Sequence, residues 1–206
     1  MKLMHIVASP REEESSTLKV SKAFLEAFQE SHPKAVIDEL NLFKEKIPEL
    51  TMKRVDGKYL LLGGKELFGE FKEAWEEIVQ HIERFLSADV YLISTPMWNF
   101  QIPYKLKQYI DVIVQPRYLF RYTDAGVEGL AKNKKAIVVS SRGGEYASPA
   151  MQALDHQEPY LRTIFQFIGI TDVTFVKAEP MSGPLDAQKQ KILQAQKSAI
   201  ELARGI

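Results

Sequence analysis

Three short stretches of this sequence carry residue types whose chemistry goes beyond packing. The first is Ser9 with Ser15, Ser16 and Thr17, one hydroxyl at what reads as a strand end and three more at a helix start. Main-chain N–H groups left free at a helix start, with hydroxyl donors around them, suit a phosphate. Plain N-capping would use only one of those hydroxyls. The second stretch is Pro96, Met97, Trp98, Asn99 and Phe100, in which a primary amide is flanked by large apolar groups. The amide offers a donor and an acceptor that match the edge of a heterocycle, and the rings of Trp98 and Phe100 can lie against its plane. The plainer reading is that these side chains cover the end of a core. The third is Ser141, Arg142, Gly143 and Gly144. Its glycines form a tight turn, or let the main chain approach a ligand with N–H groups aimed at a carbonyl or a developing anion. Between Ser9 and Ser15 lie Glu12, Glu13 and Glu14, which oppose an anion unless they point into solvent.

Other chemistries find no support. The pattern G-x-G-x-x-G is absent after the first strand and G-x-x-x-x-G-K-[ST] is absent throughout, so neither a standard dinucleotide fold nor a nucleotide triphosphatase is indicated. His5, His32, His81 and His156 have no ligand spacing, which leaves no metal site and no Ser-His-Asp set to propose. With no cysteine there is no disulfide, thiol catalysis or thiolate metal site, which is compatible with a reducing cytoplasm. Lys plus Arg and Asp plus Glu are 27 each, so no global field attracts nucleic acid or an anionic membrane. No leader-like segment and no run of eighteen apolar residues occurs, and the expectation is a soluble cytoplasmic protein.

The elements that position the three stretches can be read from apolar periodicity. Strands are expected at residues 2–9, 35–40, 88–95, 135–141 and 172–178. Helices are expected from Ser15 onward with Leu18, Ser21, Leu25 and Phe28 inward, over 66–86, from Pro103 with Leu106, Tyr109, Ile110 and Ile113 inward, from Pro159 to Gly169, and over 185–204. Residues 41–51 read as a loop, and residues 115–134 as a long excursion without helical period. Five strands alternating with helices in 206 residues predict a single α/β domain over 1–206, a doubly wound parallel sheet of order 2-1-3-4-5 with helices on both faces. In that order the loops after strands one, three and four meet at the switch point, where such sheets bind ligands. Those are the three stretches above.

The segments Pro96-Met-Trp-Asn-Phe-Gln-Ile-Pro103, Phe120-Arg-Tyr-Thr-Asp-Ala-Gly126, Ser141-Arg-Gly-Gly144, Pro159-Tyr-Leu161 and Phe167-Ile-Gly-Ile-Thr-Asp-Val173 closely resemble the bacterial FMN-dependent NADH azoreductases, NAD(P)H:quinone oxidoreductases of flavodoxin-like fold. The resemblance is strongest over residues 89–175. The acidic triplet and residues 53–64 lie outside the matching motifs. It implies that Ser9, Ser15, Ser16 and Thr17 hold the FMN phosphate, and that Pro96, Met97, Trp98, Asn99, Phe100, Ser141, Arg142, Gly143 and Gly144 border the flavin. One noncovalent FMN per subunit, rather than FAD, fits a single hydroxyl-rich helix start and no pyrophosphate fingerprint. The implied activity is two-electron, ping-pong reduction of quinones and reductive cleavage of aromatic azo compounds with NAD(P)H. The flavin carries the chemistry, so no catalytic side chain is expected.

The same fold and cofactor would also serve a flavodoxin-type electron carrier or a redox-inactive FMN-binding regulator. Such carriers are typically acidic, and this chain is neutral. Tyr122 is the candidate beside the acceptor. Phe167 falls roughly 110° off the buried stripe of its helix at about 100° per residue. It therefore has no obvious place in its own core and is the candidate to reach a partner's site in the homodimer that the resemblance implies.

Overall fold

The structure, a computed structural model, describes residues 1–206. Five parallel strands, β1 (Lys2–Val7), β2 (Val36–Asn41), β3 (Val90–Ser94), β6 (Lys135–Ser141) and β7 (Asp172–Ala178), pair in the order β2-β1-β3-β6-β7. This is the expected 2-1-3-4-5 order. The numbering skips because β4 (Phe120–Thr123) and β5 (Gly126–Gly129) form a separate antiparallel hairpin inside the excursion before β6, where the sequence predicts no element.

The central strands are near-continuous apolar runs because both their faces are covered. Met4, Ile6, Tyr91, Ile93, Ala136 and Val138 face one apolar cluster, built with α3 (Gly69–Leu86), α4 (Tyr104–Ile113) and α6 (Gln157–Ile168). Their alternates Leu3, Val90, Leu92, Ile137 and Val139 face a second, built with α1 (Ser16–Ser31) and α7 (Leu185–Arg204). Helices thus lie on both faces of the sheet. No helix is long and apolar enough to cross a membrane.

Several local expectations shift. The buried stripe of α1 runs through Thr17, Val20, Ser21, Phe24, Ala27 and Phe28, leaving Leu18 and Leu25 only half buried at its margin. Pro103 is the N-cap of α4 rather than its first residue, with an extended ψ of 145°. Leu67 and Phe68 precede α3, and Phe68 is exposed. After a one-turn helix, α5 (Pro149–Gln152), α6 starts two residues before Pro159, which is tolerated because first-turn N–H groups have no intrahelical acceptor. Its C-cap Gly169 is left-handed, as expected of a closing glycine. Residues 53–64 mostly form a helix, α2 (Met52–Leu62), docked on α3 where a Cβ on Gly57 would stand 2.3 Å from Trp75 Nε1.

The hairpin is fastened to the end of α6. A Cβ on Gly129 would meet Gly169 N at 2.2 Å, and Ala131 N–H donates to Ile168 O at 2.8 Å. Phe167 does have an intrachain neighbour, since its ring lies 4.7 Å from that of Phe120 on β4 and it packs half buried on the core. Helical periodicity could not foresee this, because the neighbour comes from the hairpin.

Candidate functional site

The loops after β1, β3 and β6 meet at the carboxyl end of the sheet around a cleft of about 230 Å³. A larger cavity of about 600 Å³, between α2, α3 and Tyr118, contains none of the converging hydroxyl and main-chain donors. At one end of the cleft Ser15 caps α1, its hydroxyl accepting from Leu18 N–H at 3.3 Å while its carbonyl takes Lys19 N–H. The N–H groups of Ser16 and Thr17 are left at the helix start without an intrahelical acceptor. Ser9 Oγ donates to Ser15 Oγ at 2.9 Å, so two of the hydroxyls already form one cluster.

Thr17 is placed differently. It is fully buried, its hydroxyl 2.7 Å from Ser141 Oγ, so it ties the first loop to the third and has only its main chain to offer a ligand. Below it Ser21 Oγ donates to Thr17 O at 3.1 Å and sits 2.6 Å from Ser94 Oγ, which lies 2.8 Å from His5 Nε2. His5 is a buried member of this chain of polar groups under α1, in keeping with an ordinary structural role. The acidic triplet forms an exposed 3-10 turn, and the Lys44 ammonium, 2.8 Å away, holds the Glu12 carboxyl below its usual range. All three residues are exposed to solvent, with Glu14 3.6 Å from Arg11.

The second loop is a two-residue turn. Trp98 and Gln101 exchange main-chain hydrogen bonds of 2.8 and 3.0 Å, and Asn99 and Phe100 between them both have positive φ, 48° and 68°. Such a turn favours Asn or Gly, and a phenylalanine there is strained. His156 N–H donates to Phe100 O at 3.0 Å, pinning the turn to the start of α6. Asn99 and Phe100 are exposed, while Trp98 sits in an aromatic group with Phe43 and Tyr104, at centroid distances of 6.1 and 6.4 Å. Phe43 lies on the loop after β2, a contributor the sequence reading does not include.

The third loop runs beside the second: Met97 N–H donates to Ser141 O at 3.0 Å. The Gly143 carbonyl accepts from Met181 and Ser182 N–H, anchoring the loop to the segment after β7. A Cβ on Gly144 would stand 3.3 Å from the flexible end of Met151 and 3.7 Å from the Tyr146 ring. The Arg142 side chain is fully buried, paired with Asp155 at 2.7 Å and donating from Nε to Gln157 Oε1 at 3.2 Å. Glu158 and Glu179 stand 3.8 and 3.7 Å from its guanidinium. Burial pushes the Glu179 carboxyl up, against the pull of Arg142 and Lys177. Among these partners the guanidinium acts as a brace for the loop.

Of the residues singled out from sequence, Ser9, Ser15, Ser16, Pro96, Met97, Trp98, Ser141, Arg142 and Gly143 line the cleft. Thr17 lies beneath it, and Asn99, Phe100 and Gly144 belong to the adjoining loops. Pro10, Arg11, Met181 and Gln188 also line it. Arg11 is the one whose type could have drawn notice, as a cation beside a presumed anion site. Tyr122, two-thirds exposed, stands on the hairpin and is not part of the cleft wall, nor is Phe167.

A family model described as the flavodoxin-like fold matches residues 1–202. An FMN-dependent NADH:quinone oxidoreductase from Nitratidesulfovibrio vulgaris (strain DP4) is 37% identical over 205 residues, covering 97% of this chain and 98% of the relative. The chain belongs to this flavodoxin-like family of FMN-dependent NADH:quinone oxidoreductases. A family member of the same description from Rhizobium meliloti (strain 1021) is also 37% identical, over 98% of this chain and 96% of its own. Among solved structures, an FMN-dependent NADH-azoreductase from Bacillus anthracis str. Ames Ancestor in complex with FMN has a TM-score of 0.85 at 30% identity, covering 98% and 99% of the two chains. The azoreductase from Bacillus anthracis str. Sterne has a TM-score of 0.90 at 28% identity, with both chains fully covered.

Proposed function

We propose that residues 1–206 form one FMN-binding unit that transfers two electrons from NAD(P)H to quinones and aromatic azo compounds. The observation that carries this reading is the meeting, in one cleft at the β1/β3 switch point, of a helix start with free N–H groups and two main-chain loops that can border a flat heterocycle. The residues fit the group. Ser9, Ser15, Ser16 and the Thr17 N–H would hold the phosphate, and the exposed acidic triplet leaves that place free for an anion. Pro96 to Phe100 and Ser141 to Gly144 would border the ring, with Trp98 supporting its plane and the Asn99 amide at its edge. The Gly143 and Gly144 N–H groups would favour negative charge on the pyrimidine side. Bound FMN supplies the hydride chemistry, so the chain's own task is placement and exclusion of water.

We further infer that the site works as a homodimer in the cytoplasm. Tyr122 and Val127 face each other across the hairpin and are both exposed, an apolar pair beyond the chain's own core. With Phe167 at the hairpin's base, they would border the acceptor side of a partner's site. A monomer at micromolar concentration with undiminished activity in sedimentation would sink the dimer. Colour and bleaching test the function itself: the purified protein should be yellow, lose absorbance with NAD(P)H and regain it with a quinone. Yellow without bleaching would make it a carrier, and colourless a protein without the cofactor. Parallel double-reciprocal plots at several acceptor concentrations are expected from one shared face, and converging lines would refute the ping-pong order.

A further inference from the structure

We propose that Gln157, which does not line the cleft, is the positioning residue that holds its two ring-bordering loops in register; the inference deepens the flavin reading above. Gln157 is the first residue of α6 and is fully buried. Its amide bonds to two other segments. Nε2 donates to Pro96 O at 2.9 Å in the loop after β3, while Oε1 accepts from Ser140 Oγ at 2.6 Å and from Arg142 Nε at 3.2 Å at the end of β6 and in the loop beyond it. Chemistry fixes the direction of the amide, because Pro96 O can only accept and Arg142 Nε can only donate.

The main chain of Gln157 is held as well. Asp155 Oδ1 accepts from the N–H of Gln157 and of Glu158, both at 3.0 Å, and Asp155 Oδ2 accepts from Arg142 Nη1 at 2.7 Å. One consequence concerns the peptide joining Pro96 to Met97. Its N–H end is bound by Ser141 O, and its carbonyl end by Gln157, with Thr95 Oγ1 a longer second donor at 3.2 Å. That peptide leads directly into the strained turn at Asn99 and Phe100. Without the Gln157 amide, the half-buried Pro96 carbonyl keeps only its longer bond from Thr95 Oγ1, while a buried serine hydroxyl and an arginine Nε lose a partner, and each such loss weighs on the loops rather than on the sheet.

Two variants separate the halves of this tie. Gln157→Leu removes all three bonds. Gln157→Glu keeps the acceptor toward Ser140 and Arg142 but sets a carboxylate against Pro96 O, and regains a donor only when protonated. The first readout is hydrogen exchange without FMN: amides of residues 97–101 and 141–144 should exchange about tenfold faster in Gln157→Leu, with those of α7 unchanged. The second is FMN affinity by fluorescence titration, expected to weaken about tenfold in both variants at neutral pH. In Gln157→Glu that loss should shrink as pH falls through the introduced carboxyl's range. If Gln157→Leu does not fold, the pH dependence of Gln157→Glu relative to wild type decides. Wild-type exchange in both loops, or an FMN-affinity loss in Gln157→Glu that does not depend on pH, would overturn the inference. A wild type that binds no FMN would overturn the proposed function instead, while the exchange measurement would still judge the tie.

Discussion

The two ends of the cleft are built in opposite ways. At the helix end the donors come from one short piece of chain, Ser9 to Thr17, and most of them from a helix start, which offers such donors wherever it occurs. At the ring end nothing local would suffice. The Pro96 to Phe100 loop is held by Ser141 O, by His156 N–H and by the Gln157 amide, from positions more than forty residues away in the chain. The contrast teaches that an anion site can be inherited from secondary structure, whereas a surface for a flat ring has to be assembled from separate elements and braced by buried polar groups.

Substitution at adjacent residues of the helix end separates structure from binding most sharply. Thr17→Asp places a carboxylate at a fully buried position and breaks the bond to Ser141. It should cost about 3 kcal/mol or more of folding stability, read by chemical denaturation. Ser16→Asp, one residue earlier and half exposed, puts the same charge at the first helical position, where the helix itself tolerates it. Stability should be unchanged while FMN affinity falls about a hundredfold, from like charges in contact near a protein surface. Equal loss of stability in both variants would erase the distinction between the residue that binds and the residue beneath it.

At the ring end a smaller effect of opposite sign is expected. Phe100→Gly relieves a positive φ that phenylalanine adopts under strain, and should raise stability by about 0.5–1 kcal/mol in thermal melts while lowering turnover. A variant both less stable and fully active would mean the turn carries no strain on behalf of the site. The smallest effect lies outside both ends, on the edge strand β2. The Arg84 guanidinium, 2.6 Å away, and then the Lys2 ammonium hold the Asp38 carboxyl below its usual range. A lowered native pKa gives stability that is present above the unfolded carboxyl's range and lost as pH falls through the native value. Asp38→Asn should therefore melt below wild type at neutral pH and converge with it in acid, with FMN affinity unaltered at neutral pH.

How much of this was legible in the sequence depended on whether the signal was local. β6, β7 and α7 have the bounds expected, because an apolar run or a 3.6-residue stripe between turn residues needs no distant partner to be read. α2 is hard to read in sequence because Met52–Leu62 has a glycine near its middle and few buried residues, and its N-cap Thr51 makes no side-chain capping bond. It stands as a helix by docking Gly57 on Trp75. The hairpin β4–β5 looks irregular in sequence since four-residue strands carry little pattern, and it is fastened to the domain by Gly129 against Gly169 and Phe120 against Phe167.

The sequence by itself determined the parallel sheet, its order and the three loops at its switch point, since these follow from apolar periodicity, strand count and the rules of connection. It also supplied the residue types that suit a phosphate and a heterocycle. Only the tertiary structure decided which of them face the cleft. It turned Thr17 inward onto Ser141, enclosed Arg142 among Asp155, Gln157, Glu158 and Glu179, and gave Gln157 the Pro96 carbonyl. A side chain's type states which bonds it can make, whereas the partner it makes them with is chosen by packing between segments far apart in the chain, and no local pattern encodes that choice.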